Sequence, residues 1–233
     1  MGSGAGTLET AAPSRFATMD PVRRADCQRD LGAVRMKPAP RFRRGGPDLW
    51  VESAYAILAE EGHVGLTIEQ LTTRTGKTRG SFYHHFGSMD GFVSRLLAEW
   101  RERNTERIAR LAECDPEPGA RRALIHGEAM RLDARVEIAI RIWAGTDPGV
   151  LSACSDVDRR RMVVLIRDLV ALAEKNGREL PPSEAEMLAR LEYATFLGAQ
   201  MLARLEYATF LGAQMLAPRR QARCAARHRA SLR

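Results

Sequence analysis

Three residues that favour helix N-caps, Thr67, Thr78 and Ser88, follow one another at short intervals, with Gly76 standing just before the second. Starts this closely spaced leave room only for brief elements, so the stretch is constrained to two short helices joined by a tight turn and followed by a third. In the first, Ile68 and Leu71 recur at the spacing of one buried face, and Gln70 stands where a capping box takes Glu or Gln. Thr75-Gly76-Lys77 forms the turn, Thr78 opens a helix to about His84, and Ser88 opens a long one from Met89 to about Glu113. Upstream, Leu49, Trp50, Ala54, Ile57 and Leu58 keep a helical period between Pro47, suited to a first turn, and Gly62, suited to an end.

Further helices are predicted near 117–132, 134–145, 156–176 and 183–217, separated by breaks at Pro116, Gly145 to Gly149, and Gly177 to Pro182. No segment alternates as a strand does. The expected fold class is all-α: an N-terminal three-helix bundle carrying a helix-turn-helix, joined by a long helix to a larger C-terminal helical bundle. Residues 1–46, rich in Gly, Ala, Pro, Ser and Arg, read as a disordered basic extension. The expected division is then 47–92 for the helix-turn-helix domain, 93–217 for the second bundle and 218–233 for a basic tail. Within the second bundle, residues 187–200 (MLARLEYATFLGAQ) are followed at once by an identical copy, 201–214. Fourteen residues fall only ~40° short of four helical turns, so the copy can extend the last helix with its apolar face nearly preserved.

The formal net charge of +7 resides in the two ends, because residues 47–217 hold 21 basic and 25 acidic side chains. Basicity alone therefore does not establish a nucleic-acid partner. No apolar run is long enough for a membrane span or shaped as a signal peptide, so a cytoplasmic protein without membrane contact is expected. Cys27, Cys114, Cys154 and Cys224 lack the paired spacings of zinc sites and read as free thiols. Phosphate loops, HExxH, nucleophile elbows and clustered carboxylate–histidine sets are missing, so no enzyme, cofactor or metal is indicated.

Thr67 to His85 has the form of a helix-turn-helix, whose second helix enters the major groove of DNA. The stretch GLTIEQLTTRTGKTRGSFYHHFGSMDGFV resembles the TetR family signature, in which a Gly-bearing turn, a small residue pair and an aromatic Tyr-x-x-Phe precede a capped Ser and a new helix. That resemblance covers residues 47–92. A looser one, over AIRIWAGTDPGVLSACSDVDRRRMVVLIRDLVALAEKNG, extends it to about residue 200. It implies a sequence-specific DNA-binding transcription regulator: a homodimeric repressor of a double-stranded DNA operator, released by an unidentified small-molecule effector. The alternative is a constitutive or impaired DNA binder whose dimer is altered by the duplication.

On this reading Phe82 and Phe86 pack the third helix onto the first two, while Tyr83 points away and offers its hydroxyl to a phosphate. Thr78 and Ser81 are short donors beside a helix N-terminus, and Arg79 is the expected base reader. Gly80 lets the backbone approach the bases, and Lys77 and His84 complete the phosphate contacts. Thr67 joins them from the first helix, and Arg43 and Arg44 of the basic arm reach a neighbouring minor groove. Two positions depart from the usual family form: Met89 follows the capping serine where a lysine is common, and Lys77 replaces an apolar turn residue. In the second bundle, Trp100, His126, Met130, Arg141 and Trp143 stand among apolar residues and either line a ligand cavity or pack the core.

Overall fold

Thr67, Thr78 and Ser88 each cap a helix in the computed structural model, which describes residues 46–202. Their hydroxyls accept the amide N–H of Gln70 at 3.2 Å, Ser81 at 3.2 Å and Gly91 at 3.0 Å. Helix α1 (Pro47–Glu61) ends at Gly62, and a 3-10 turn (His63–Gly65) leads to α2 (Ile68–Thr75). Gly76 then adopts the left-handed conformation, φ +64°, and turns the chain into α3 (Arg79–Phe86). The expected capping box at Thr67 forms only by half. The Gln70 side chain turns to Glu61, 3.5 Å away, and the Thr67 amide donates instead to the Gly65 carbonyl at 2.9 Å.

The long helix from Met89 to Glu113 is present but not uniform. Helix α4 (Met89–Arg101) widens into a π turn (Glu102–Glu106) before α5 (Arg107–Glu113). Helices α6 (Pro118–Ala129), α7 (Ala134–Trp143) and α8 (Pro148–Lys175) follow, and α9 occupies 182–202, up to the edge of the described residues. No strand occurs among the described residues. Helix α8 starts eight residues before its expected position at 156, because the presumed break is a helix start. Asp147 accepts the amides of Gly149 at 2.8 Å and Val150 at 3.1 Å, and Pro148 occupies the first turn, where its missing N–H costs nothing.

Two further expectations change. Cys114 is disulfide-bonded rather than free. Cys154 is free and buried, and burial pushes its thiol up to about 11. Cys27, Cys224, the basic extension with Arg43 and Arg44, the repeat beyond Leu202 and the basic tail all lie outside the described residues.

One core joins the two bundles. Trp50, Ile57 and Leu58 of α1 cluster with Phe82 of α3 and with Phe92, Leu96 and Trp100 of α4. Ala139 and Ile140 of α7 and Val150 and Val157 of α8 belong to the same cluster. The apolar interior thus crosses the boundary expected at residue 92, and the N-terminal helices are seated on the second bundle by burial.

The α3–α4 corner depends on Gly91, whose amide is bound by Ser88. A Cβ added there would run into the backbone carbonyl oxygen of Phe86, which no side-chain rotation relieves. Gly91→Ala is therefore expected to lower stability by about 1–3 kcal/mol, since the two helices must separate to admit one methyl group. A thermal unfolding curve checks this, and an unchanged midpoint would mean that the corner is not held as tightly as its geometry requires.

Candidate nucleic-acid interface and ligand cavity

The orientation of α3 is set by aromatic side chains. Phe82 is fully buried and meets Trp50 edge-on at 5.4 Å and Phe92 at 5.3 Å, while Phe86 meets Phe92 at 4.8 Å. With that face locked inward, the opposite face is presented outward. Thr78, Arg79, Gly80, Tyr83 and His84 are exposed, and Lys77 and Ser81 are half-buried at its edge. Thr67 is exposed at the start of α2. A side chain at Gly80 would meet only the Thr78 hydroxyl, at 3.8 Å, so the fold itself does not require glycine there.

Arg74 of α2 holds this unit to α1 through Glu60 at 2.5 Å and Glu61 at 3.1 Å. These partners are more than a helix apart in sequence, so the pair carried no local signal. Half-exposed bridges of this kind add little stability, but they fix the angle between two short helices.

In the second bundle a cavity of about 80 Å³ opens between α5, α6, α8 and α9. Its walls are mainly apolar, with Ile108, Ala109, Ile125, Val164, Leu165 and Phe196 among them. Its floor is an ion-paired network. Arg161 donates to both oxygens of the buried Glu137, at 2.8 and 3.3 Å, to the Thr105 hydroxyl at 3.0 Å, to the Asn104 carbonyl at 3.3 Å and to the Tyr193 hydroxyl at 2.9 Å. Glu137 also accepts Trp100 Nε1 at 3.1 Å and Arg141 Nε at 3.0 Å. Tyr193 in turn donates to Asp158 at 2.6 Å.

Burial pushes the Glu137 carboxyl up, but the guanidinium groups of Arg161 and Arg141 outweigh it and hold the carboxyl below its usual range. Burial pushes the Tyr193 hydroxyl up to about 12, which keeps it a neutral donor. At the rim, Glu192 binds Arg122 at 2.5 Å and His126 Nε2 at 2.7 Å.

The family model for "Bacterial regulatory proteins, tetR family" matches residues 51–96, the unit built around the α3 aromatic lock. Over those residues the chain is similar to the TetR family. It is 36% identical over 59 residues to the HTH-type transcriptional repressor AcnR of Corynebacterium efficiens, a match covering 25% of this chain and 31% of that protein. It thus spans under a third of the length of that relative. To AcnR of Corynebacterium jeikeium it is 28% identical over 142 residues, 60% of this chain and 71% of that one. In fold it is similar to a transcriptional regulator from Rhodococcus sp. Rha1, with a TM-score of 0.57 at 21% identity over 68% of this chain and 83% of the other. It is similar also to a protein described as a TetR/AcrR family member, with a TM-score of 0.59 at 19% identity over 69% and 88%.

The residues expected at a ligand cavity separate. His126 lines the cavity. Trp100 is fully buried in the core beneath it, and Arg141 reaches Glu137 and Tyr193 from the side of Asp158. Met130 is 67% exposed on the surface, and Trp143 stacks on His63 at 5.9 Å, fastening α7 to the 3-10 turn. Glu137, Arg161, Tyr193 and Gln200 line the cavity without having been foreseen. The available signal was Glu137 itself, the one acid of α7, set among Val136, Ile138, Ala139 and Ile140.

The lowered carboxyl of Glu137 gives stability its pH dependence. Its contribution is complete above the ordinary value near 4.5 and is lost as pH falls through the lower folded value. Glu137→Gln is expected to cost about 3–5 kcal/mol at pH 7, because Arg161 is left charged and buried. It should also give a shallower decline in stability between neutral pH and pH 3 than the wild type shows. Urea titrations across that range measure both effects, and parallel declines would remove Glu137 from the acid response.

Proposed function

We propose that the protein is a DNA-binding transcription regulator, a homodimeric repressor released from its operator by a small ligand. The observation that carries this reading is the outward face of α3. Arg79, Gly80, Tyr83 and His84 are held clear of the core by the buried Phe82, beside a helix N-terminus whose dipole favours phosphate. On that face Arg79 reads a guanine through its paired acceptors, while Lys77, Thr78, Ser81, Tyr83, His84 and Thr67 engage phosphates. Repression is the reading favoured by likeness to the AcnR repressors.

Release by a ligand has a physical route. The π turn contributes Asn104 and Thr105 to the cavity wall, and Arg103 between Glu102 and Asn104 pairs with Glu52 of α1 and with Glu99. A ligand that shifts the turn therefore pulls on the helix that supports α3. For the homodimer, α9 exposes Met187 and Leu191, then Met201 and Leu202, at spacings that keep one helical stripe, and Val163 of α8 is likewise exposed. Such a stripe is costly to leave in water, and an identical copy about a twofold axis covers it.

Three variants test DNA reading together. Arg79→Ala should cost about 1–3 kcal/mol on operator DNA and relax preference at one position per half-site, whereas Lys77→Ala should weaken all sequences alike and flatten the salt dependence. Gly80→Ala should leave the unfolding midpoint unchanged, because the site is open, yet reduce operator affinity. Equal losses for Arg79→Ala on operator and random DNA would remove its role as a base reader.

The dimer is tested by placing charge on the stripe. Met187→Lys with Leu191→Lys should yield a monomer in sedimentation experiments with helicity retained. A dimer of unaltered stability would move the interface elsewhere.

A further inference from the structure

The cavity of the regulatory bundle holds one polar group that nothing answers. Gln200 of α9 lines it and is only 7% exposed, yet its Oε1 has no hydrogen-bond partner. A buried amide oxygen left in this state is costly, and a donor brought by a ligand removes the cost.

The charged groups that line the cavity are already committed. All five N–H bonds of Arg161 are directed to Glu137, Thr105, Asn104 and Tyr193. At the rim Glu192 binds His126 Nε2 and Arg122 Nη2; Arg122 Nη1 is buried without a partner, but Arg122 is not among the residues that line the cavity. An anionic ligand would therefore have to break an ion pair to find a cation, and a cationic one would have to displace a guanidinium from its carboxylate. The remaining wall is apolar, and the interior of about 80 Å³ lies well below the ~300–1,000 Å³ of pockets that take drug-sized molecules. Size, neutrality and the single open acceptor agree on one chemistry.

We propose that this cavity takes a small, neutral, largely apolar molecule with one hydrogen-bond donor, of the phenol or cyclic-alcohol class. Its hydroxyl donates to Gln200 Oε1 and its ring lies against Ile108, Val164, Leu165 and Phe196. The identification of such a molecule as the releasing ligand rests on the reading given under Proposed function. The occupancy of the cavity does not.

The test uses the full chain and four probes in calorimetric titrations. Phenol offers a donor, acetophenone only an acceptor, toluene neither, and benzoate a negative charge. Phenol should bind at least about tenfold tighter than the other three. Gln214 is the counterpart of Gln200 in the second repeat copy, so the variant changes both, Gln200→Leu with Gln214→Leu, to keep the second copy from supplying the acceptor. It should lose about tenfold in phenol affinity while toluene binding is unchanged or improved. A retained unfolding midpoint shows that the fold is intact. Equal or tighter binding of acetophenone or benzoate, no binding of phenol, or phenol affinity untouched in the variant would overturn the proposal. Operator release is measured separately by adding phenol to the DNA complex. Phenol binding without release would count against the repressor-release reading and leave the preference of the cavity standing.

Discussion

The arrangement of the second bundle depends on the ion pair between Glu137 and Arg161. Removing both charges from water carries a penalty that their mutual attraction offsets only when the remaining hydrogen-bonding positions are also met. Here they are. Trp100, Thr105, Asn104, Tyr193 and Arg141 complete the network, so α4, the π turn, α7, α8 and α9 must all be in place at once. The π turn belongs to this requirement. Where the helical ladder widens, the Asn104 carbonyl accepts from Arg161, and the irregularity becomes a point of attachment for α8.

The same network connects the cavity to the N-terminal helices. Trp100 places one face of its indole in the core shared with Trp50, Phe82 and Phe92, and gives its Nε1 hydrogen to Glu137. A change at the cavity floor is therefore felt at a side chain of the same buried cluster as Phe82 of α3. Rigid elements and a close-packed interior transmit such shifts without a hinge.

What could be read in the sequence was what local chemistry decides. The caps at Thr67, Thr78 and Ser88, the turn at Gly76, and the inward pair Phe82 and Phe86 depend on neighbours within a turn or two, and each lies where its type and spacing put it. The start of α8 was misjudged for the same reason in reverse. Pro148 and Gly149 look like a break until the Asp147 cap is recognised. The cavity was hidden because it is assembled across the sequence: Arg161 and Glu137 are on different helices, and charged residues on helices ordinarily face water. Met130 and Trp143 were grouped with His126 by composition alone, and the three-dimensional arrangement sends one to the surface and the other to the 3-10 turn.

The duplication bears on the cavity in a way that its position in α9 makes definite. Glu192, Tyr193, Phe196 and Gln200, the four cavity residues that α9 supplies, all belong to the first copy, and each has an identical counterpart fourteen positions on. Helical geometry would let either copy present this wall, since the offset is only ~40° over ~21 Å. The connection from α8 decides between them. Only residues 176–181 separate the two helices, and that turn is closed by backbone hydrogen bonds from the Asn176 N–H to the Leu172 carbonyl at 3.2 Å and from the Arg178 N–H to the Ala173 carbonyl at 2.9 Å. So short a link leaves no slack for a shift of four turns, and the copy nearest the link takes the cavity. Excising either copy yields the same sequence, so loss of the repeat would leave residues 187–203, which include all four of these positions, unchanged in sequence. The proposed dimer face is then where the extra fourteen residues bear first, since Met201 and Leu202, the opening of the second copy, continue its exposed stripe.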